Sequence, residues 1–148
     1  MINSSVHDCA MVEFAARDVG LGRLCAVRNE IDLPFGTHRV YYLYDVPAGE
    51  FRGGHAHKKL RQLMVAVSGS FNVTIDDGYE RRICTLNGAN HALLITSGIW
   101  RTLDSFSGGS VCLVLASDEY NEEDYIRDYQ EFLQWKNAQT NQISIHKN

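Results

Sequence analysis

The chain is divided by glycine into short apolar runs, each too brief for a typical helix. They occupy residues 24–27, 40–46, 62–67, 71–75, 82–86, 92–95 and 111–115. Within 71–75, Phe71, Val73 and Ile75 alternate with polar residues, the period of a half-buried strand. Ser68-Gly69-Ser70 predicts a hairpin turn between two runs, and Asp76-Asp77-Gly78 predicts a second. Gly20-Leu21-Gly22 predicts a turn leading into a strand; it lacks the third glycine and long helix of a dinucleotide-binding loop. Many short strands at regular spacing specify an all-β sandwich or barrel. With 148 residues the chain suits one domain, 1–148, around one core.

The C-terminal region has another pattern. Asn121 is placed to cap a helix, with Glu122, Glu123 and Asp124 in its first turn. Tyr125, Tyr129, Phe132 and Leu133 then share a helical face. This predicts one short C-terminal α-helix, with a polar tail that frays after Lys136.

Charge excludes some functions. The net charge of −4 and pI near 5.8 argue against nucleic-acid binding. No apolar stretch approaches a membrane span, and residues 1–8 lack a basic-then-apolar leader, which points to the cytoplasm. The four cysteines are scattered without a C-x-x-C pair; Cys84 and Cys112 sit in apolar runs and read as buried free thiols.

Chemistry concentrates in Arg52-Gly53-Gly54-His55-Ala56-His57-Lys58-Lys59. On a strand, His55 and His57 share a face, and a bend at the glycines turns Arg52 to that face too. Gly49 lies five intervening residues before His55, Gln62 follows His57 after four residues, and Gly69 follows Gln62 after six. This frame resembles the first motif of the cupin β-barrels, with Gln62 where the acidic metal ligand would stand. Thr96-Ser97-Gly98-Ile99-Trp100-Arg101 keeps the glycine of the second cupin motif but has Arg101 for its histidine. Arginine is a donor-only cation and ligates no metal. The expectation is a cupin barrel, or jelly roll, without a metal and without any other cofactor. Two imidazoles can still exchange protons near neutral pH. Arg52, Lys58, Lys59 and Arg61 form a cationic stretch in an acidic chain, suited to an anionic handle such as a diphosphate. The simpler alternative is a solvated charge run. Trp100 and Tyr120 can stack on a base or fill the core.

Arg39-Val40-Tyr41-Tyr42, the H-A-H-K-K segment, Asp76-Asp77-Gly78, Leu115-Ala116-Ser117-Asp118-Glu119-Tyr120 and Asp124-Tyr125-Ile126-Arg127 occur in an order that resembles the dTDP-4-oxo-6-deoxy-glucose 3,4-ketoisomerases. The resemblance spans roughly residues 20–135. It implies a small metal-free cupin homodimer with exchanged N-terminal strands, acting on a thymidine-diphosphate-linked keto-deoxysugar. The product would supply an aminotransferase making a 3-amino sugar for surface glycans or natural products. His55 is then the carbon-directed base and His57 a shuttle or orienting group, with exchanged roles as the alternative. Arg52 and Arg101 would hold an enediolate or phosphates, with Lys58, Gln62, Trp100, Tyr120 and one of Tyr41 and Tyr42 completing the substrate site. Gly54 stands where the family often has a bulkier residue, and Arg101 where some members have histidine. Competing readings are a 3,5-epimerase of a nucleotide sugar, a non-catalytic sugar-binding cupin, and a metal-dependent dioxygenase or isomerase.

Overall fold

The computed structural model describes residues 3–145. The strands are β1 (Ala10–Glu13), β2 (Ala16–Asp18), β3 (Arg23–Cys25), β4 (Arg39–Leu43), β5 (Arg52–His57), β6 (Gln62–Ser68), β7 (Phe71–Asp76), β8 (Arg81–Leu86), β9 (His91–Ile95), β10 (Trp100–Asp104), β11 (Val111–Ala116) and β12 (Tyr125–Ile126); helix α1 covers Tyr129–Ile145. Two five-stranded antiparallel sheets, ordered β1-β9-β6-β11-β4 and β12-β5-β10-β7-β8, face each other as in a jelly roll. Strands β2 and β3 form a separate, exposed hairpin joined through Gly20-Leu21-Gly22. The all-β barrel with one C-terminal helix matches the sequence expectation.

Alternation decides what each strand buries. Val73 and Ile75 of β7, Leu93 and Ile95 of β9, Cys112 and Val114 of β11, and Met64 and Ala66 of β6 form the core between the sheets. The opposite faces of β6, β9 and β11 place Leu63, Val65, Ala92, Leu113 and Leu115 outside the barrel, where Phe14, Leu33 and Phe35 cover part of them. Cys84 and Cys112 are free and buried, as expected, and Cys9 is buried with them.

The two predicted turns have different roles. Asp76-Asp77-Gly78 does close the β7–β8 hairpin, with the Asp77 amide donating to the Glu80 carbonyl at 3.1 Å. Ser68-Gly69-Ser70 instead carries the chain from one sheet to the other, since β6 and β7 do not pair. It is held there by the 105–110 loop: the Ser70 amide donates to Ser107 Oγ at 2.9 Å. A Cβ on Gly69 would come within 2.8 Å of Ser110.

The C-terminal prediction also needs correction. Asn121 does act as a cap, accepting from the Glu123 amide at 3.0 Å, but for a single 3-10 turn, Glu122–Asp124. Tyr125 and Ile126 then pair with His57 and Ala56 as an added edge strand. Helix α1 begins four residues beyond Tyr125, with Asp128 Oδ1 accepting from the Glu131 amide at 2.9 Å. Nor does the helix end at Lys136. That side chain is buried, and its ammonium donates to the carbonyls of Ser4 and Gly98, while the Tyr79 hydroxyl donates to Asn137 Oδ1 at 3.0 Å. Helix α1 continues through the polar tail to Ile145.

Candidate active site

Strand β5 reaches the barrel interior through a β-bulge. Opposite it on β10, Arg101 pairs with His55, Thr102 with Gly53 and Leu103 with Arg52, leaving Gly54 as the extra residue. Gly53 and Gly54 take φ of 84° and 75°, and a Cβ on Gly53 would lie 2.9 Å from the Arg101 carbonyl oxygen. The bulge shifts the phase of β5, so Arg52, His55 and His57 all belong to the inward side. This is the bend anticipated at the glycines.

A cavity of about 280 Å³ opens between the sheets. Its polar lining comes from Arg39 and Tyr41 on β4, Arg52 and His55 on β5, Gln62 on β6, Arg101 on β10, and Tyr125 and Arg127 at β12; Leu43, Met64, Leu103 and Val114 form the apolar lining. Arg52 and Arg127 are also exposed, which puts them at the mouth. Of the adjacent tyrosines, Tyr41 lines the cavity and Tyr42 is 60 % exposed on the outer sheet face, as alternation requires. Lys58 points away, its ammonium donating to the Glu123 carbonyl at 2.9 Å. Trp100 is one residue out of phase with Arg101 and packs outside the barrel against Tyr129, with ring centroids 5.3 Å apart. Tyr120 is exposed, its hydroxyl bonded to Glu122, and approaches the cavity only through Arg39 and Tyr125. Lys58, Trp100, Tyr42 and Tyr120, expected among the substrate-site residues, therefore lie outside the cavity lining.

Arg101 dominates the electrostatics. Its side chain is 1 % exposed and hydrogen-bonds Gln62 Oε1 and, at 3.4 Å, the Ile99 carbonyl. Among the described residues it has no carboxylate partner within ion-pair distance, and its Nε is buried without a hydrogen bond, as is the Nε of Arg39. An uncompensated buried guanidinium is costly, and it leaves a positive charge in the cavity lining. Arg39 stacks over Tyr41 and Tyr120, and Arg127 over Tyr125 at 4.2 Å while forming a two-point bond to Glu122.

The two histidines are held neutral. Burial, and secondarily the charge of Arg101, lower His55 to about 3. Burial and Arg101 also push His57 down. His57 is 1 % exposed, and its Nδ1 lies 3.1 Å from Asp124 Oδ2. Since a carboxylate only accepts, the proton sits on Nδ1 and the lone pair on Nε2. Nε2 has no partner. Asp124 is itself fixed by the Lys59 amide at 2.8 Å and the Leu60 amide at 3.3 Å. The His55 and His57 rings meet edge to face at 5.0 Å, and Tyr125 packs 4.3 Å from His57.

Sequence reasoning assigned no site role to Arg39, Asp124, Tyr125 or Arg127. The signal was present: Arg39 and Tyr41, like Tyr125 and Arg127, are spaced by two around an apolar or aromatic residue, the strand pattern. The acidic run Glu122–Asp124 favoured a helix start instead. Among the described residues no cluster of three or more His, Cys, Asp or Glu side chains is arranged to hold a metal. The cupin ligand positions Gln62 and Arg101 are bonded to each other.

A family model described as FdtA (WxcM-like, C-terminal) matches residues 7–137. The TDP-4-oxo-6-deoxy-alpha-D-glucose-3,4-oxoisomerase of Aneurinibacillus thermoaerophilus is 42 % identical over 111 residues, covering 75 % of this chain and 80 % of that protein. A 3,4-ketoisomerase from Helicobacter canadensis superimposes with a TM-score of 0.86 at 42 % identity, covering 88 % of this chain and 98 % of the other. QdtA, a sugar 3,4-ketoisomerase from Thermoanaerobacterium thermosaccharolyticum solved with TDP, gives 0.88 at 34 % identity over 91 % and 98 % of the two chains.

Proposed function

Because this chain belongs to the FdtA family of sugar 3,4-ketoisomerases, we propose that it converts a dTDP-4-oxo-6-deoxyhexose to the 3-oxo isomer by proton transfer through an enediol. The observation that carries the reading is Arg101: a buried guanidinium on β10, paired with His55 of β5, that has no counter-ion among the described residues. It suits a reaction whose substrate cavity acquires negative charge only on the way to product.

The C3 proton is acidic because C4 is a ketone. His55 removes it, and the C3–H electron pair forms the C3–C4 double bond while the carbonyl electrons move onto O4. The resulting enediolate is stabilised by Arg101. O4 gains a proton and O3 loses one as C4 takes a proton from His55; the ketone now stands at C3. His55 is favoured as the carbon base because it lines the cavity, whereas His57 is packed behind it. A second reading exchanges the two, and the Asp124–His57 pair favours it, since the carboxylate orients the imidazole and leaves its Nε2 lone pair without a hydrogen bond among the described residues. Arg52, with Arg39 and Arg127, meets the diphosphate at the mouth. The enzyme needs no metal, works in the cytoplasm as a homodimer with exchanged N-terminal strands, and delivers the 3-oxo sugar that amination at C3 requires.

The test is incubation of the chelator-treated protein with dTDP-4-oxo-6-deoxyglucose in heavy water, followed by NMR. The expected product is the 3-oxo sugar with deuterium at C4. Exchange at C3 and C5 without ketone migration would make the protein an epimerase. Binding of TDP without exchange would make it a binding protein, and activity restored only by added metal would overturn the metal-free mechanism.

A further inference from the structure

A hydrogen-bond chain crosses the barrel from β10 through β6 to β4, and its direction is chemically determined. Arg101 Nη2 donates to Gln62 Oε1, and Gln62 Nε2 donates to the Tyr41 hydroxyl oxygen at 2.8 Å. A guanidinium has no acceptor, so the amide must turn its oxygen toward Arg101. The other end of the amide is then donor-only, and Tyr41 must accept. Were Tyr41 to donate to Gln62, the amide would have to flip and face its NH₂ to a second buried donor. Tyr41 has one proton, and among the described residues no side chain or carbonyl receives it. The hydroxyl belongs to the cavity lining together with His55 and Arg101.

We propose that Gln62 is a positioning residue: locked by Arg101, it fixes the Tyr41 hydroxyl as a hydrogen-bond donor toward the sugar oxygen that becomes charged in the enediolate. The inference rests on the isomerase reading and gives the acidic-ligand position of the cupin frame a new use. The metal ligand has become an amide whose polarity is set by a neighbouring cation. Burial raises the Tyr41 pKa, against the pull of Arg101, which keeps the phenol protonated and able to donate at neutral pH. The role asks for hydrogen bonding alone, so no proton need leave Tyr41.

The decisive substitution is Gln62→Glu. The carboxylate has the shape of the amide and retains the bond to Arg101, but has no proton for Tyr41. The tyrosine then donates to Glu instead of to substrate. Turnover of Gln62→Glu and of Tyr41→Phe should each fall roughly 10²-fold, the scale for losing one oxyanion donor, with affinity for TDP unchanged within about threefold. A charge effect through Arg101 alone would multiply with the loss from Tyr41→Phe. Action through Tyr41 predicts that the double variant is no slower than about threefold below either single one. Multiplicative losses, or a Gln62→Glu enzyme with normal turnover, overturn the inference. Neutron diffraction of the unliganded wild-type protein gives an answer independent of activity. A deuteron carried by the Tyr41 oxygen and directed into the cavity supports the assignment, and one carried by the Tyr41 oxygen and aimed at the Gln62 amide refutes it. If wild-type protein binds TDP yet produces no 3-oxo sugar, the isomerase reading fails while the polarity of the chain is still tested by the neutron map.

Discussion

His55 and His57 differ in how the fold treats their nitrogens. Asp124 fixes the His57 tautomer, while His55 lines the cavity and makes no carboxylate bond among the described residues. Both are kept uncharged chiefly by burial, with the guanidinium of Arg101 adding to the effect. This makes stability depend on pH. In the unfolded chain a histidine titrates near 6.5, whereas folded His55 titrates at about 3. Between those values the unfolded state holds more protons, so stability falls as pH is lowered through the window and is fully present above 6.5. The limiting slope is about 1.4 kcal/mol per pH unit for each such histidine. The unfolding temperature should therefore drop as pH is taken from about 7 to about 4, and His55→Asn should flatten that drop. A wild-type curve level over the range would mean that His55 is charged in the folded state. For catalysis the same shift leaves a neutral base, so kcat/KM should show no acid limb down to about pH 5. His55→Asn should lower turnover roughly 10²-fold or more with TDP binding retained; near-normal turnover would hand the carbon base to His57.

At the level of elements, the bulge in β5 does the most for the site. Gly53 permits a positive φ and lets β10 come close, and this phase shift is what puts Arg52 opposite Leu103. Gly53→Ala would set a Cβ against the Arg101 carbonyl in a backbone conformation that alanine resists. It should cost more than about 1 kcal/mol and weaken TDP binding through displaced Arg52. Gly54, where a Cβ would meet nothing within 4 Å, is the matched control: the same unfavourable φ without the clash. Comparing the two alanine variants by thermal unfolding checks this, and Gly53→Ala no less stable than Gly54→Ala would contradict it. The edge strand β12 does comparable work. By pairing with His57 and Ala56, it brings Asp124 beneath one histidine and Tyr125 against both.

For the molecule as a whole, apolar surface stays open on the outer face of the β1-β9-β6-β11-β4 sheet. Val40 and Tyr42 of β4 are 55 % and 60 % exposed there, and the β2–β3 hairpin stands exposed with Leu24 at 49 %. Covering such a face is what self-association achieves. Light scattering should give a dimer at micromolar concentration, and Tyr42→Glu together with Val40→Glu should shift it toward monomer without touching the cavity lining. A wild-type monomer under those conditions would count against the homodimer. Among the described residues no helix is long and apolar enough to cross a membrane.

The seven apolar runs and their alternation made the all-β fold legible from local order, and the resemblance of two segments to the cupin motifs pointed to the barrel and to the histidine pair. Strand periodicity puts residues on faces without any knowledge of partners. Tyr41 and Tyr42 show where that stops: alternation required one to face inward, and only pairing with β11, Tyr41 to Val114 and Tyr42 to Leu113, decided which. Ser68-Gly69-Ser70 reads as a turn in either case; whether it closes a hairpin or crosses between sheets depends on the loop packed against it. Asp124 is the clearest instance. Its acidic neighbours suit a helix start, but its role comes from His57 and the amides of Lys59 and Leu60, more than sixty residues away in sequence. Local propensity fixes what a residue can do, whereas a carboxylate finds its imidazole, and Gln62 its polarity from Arg101, only when the sheets close and water can no longer compete for those bonds.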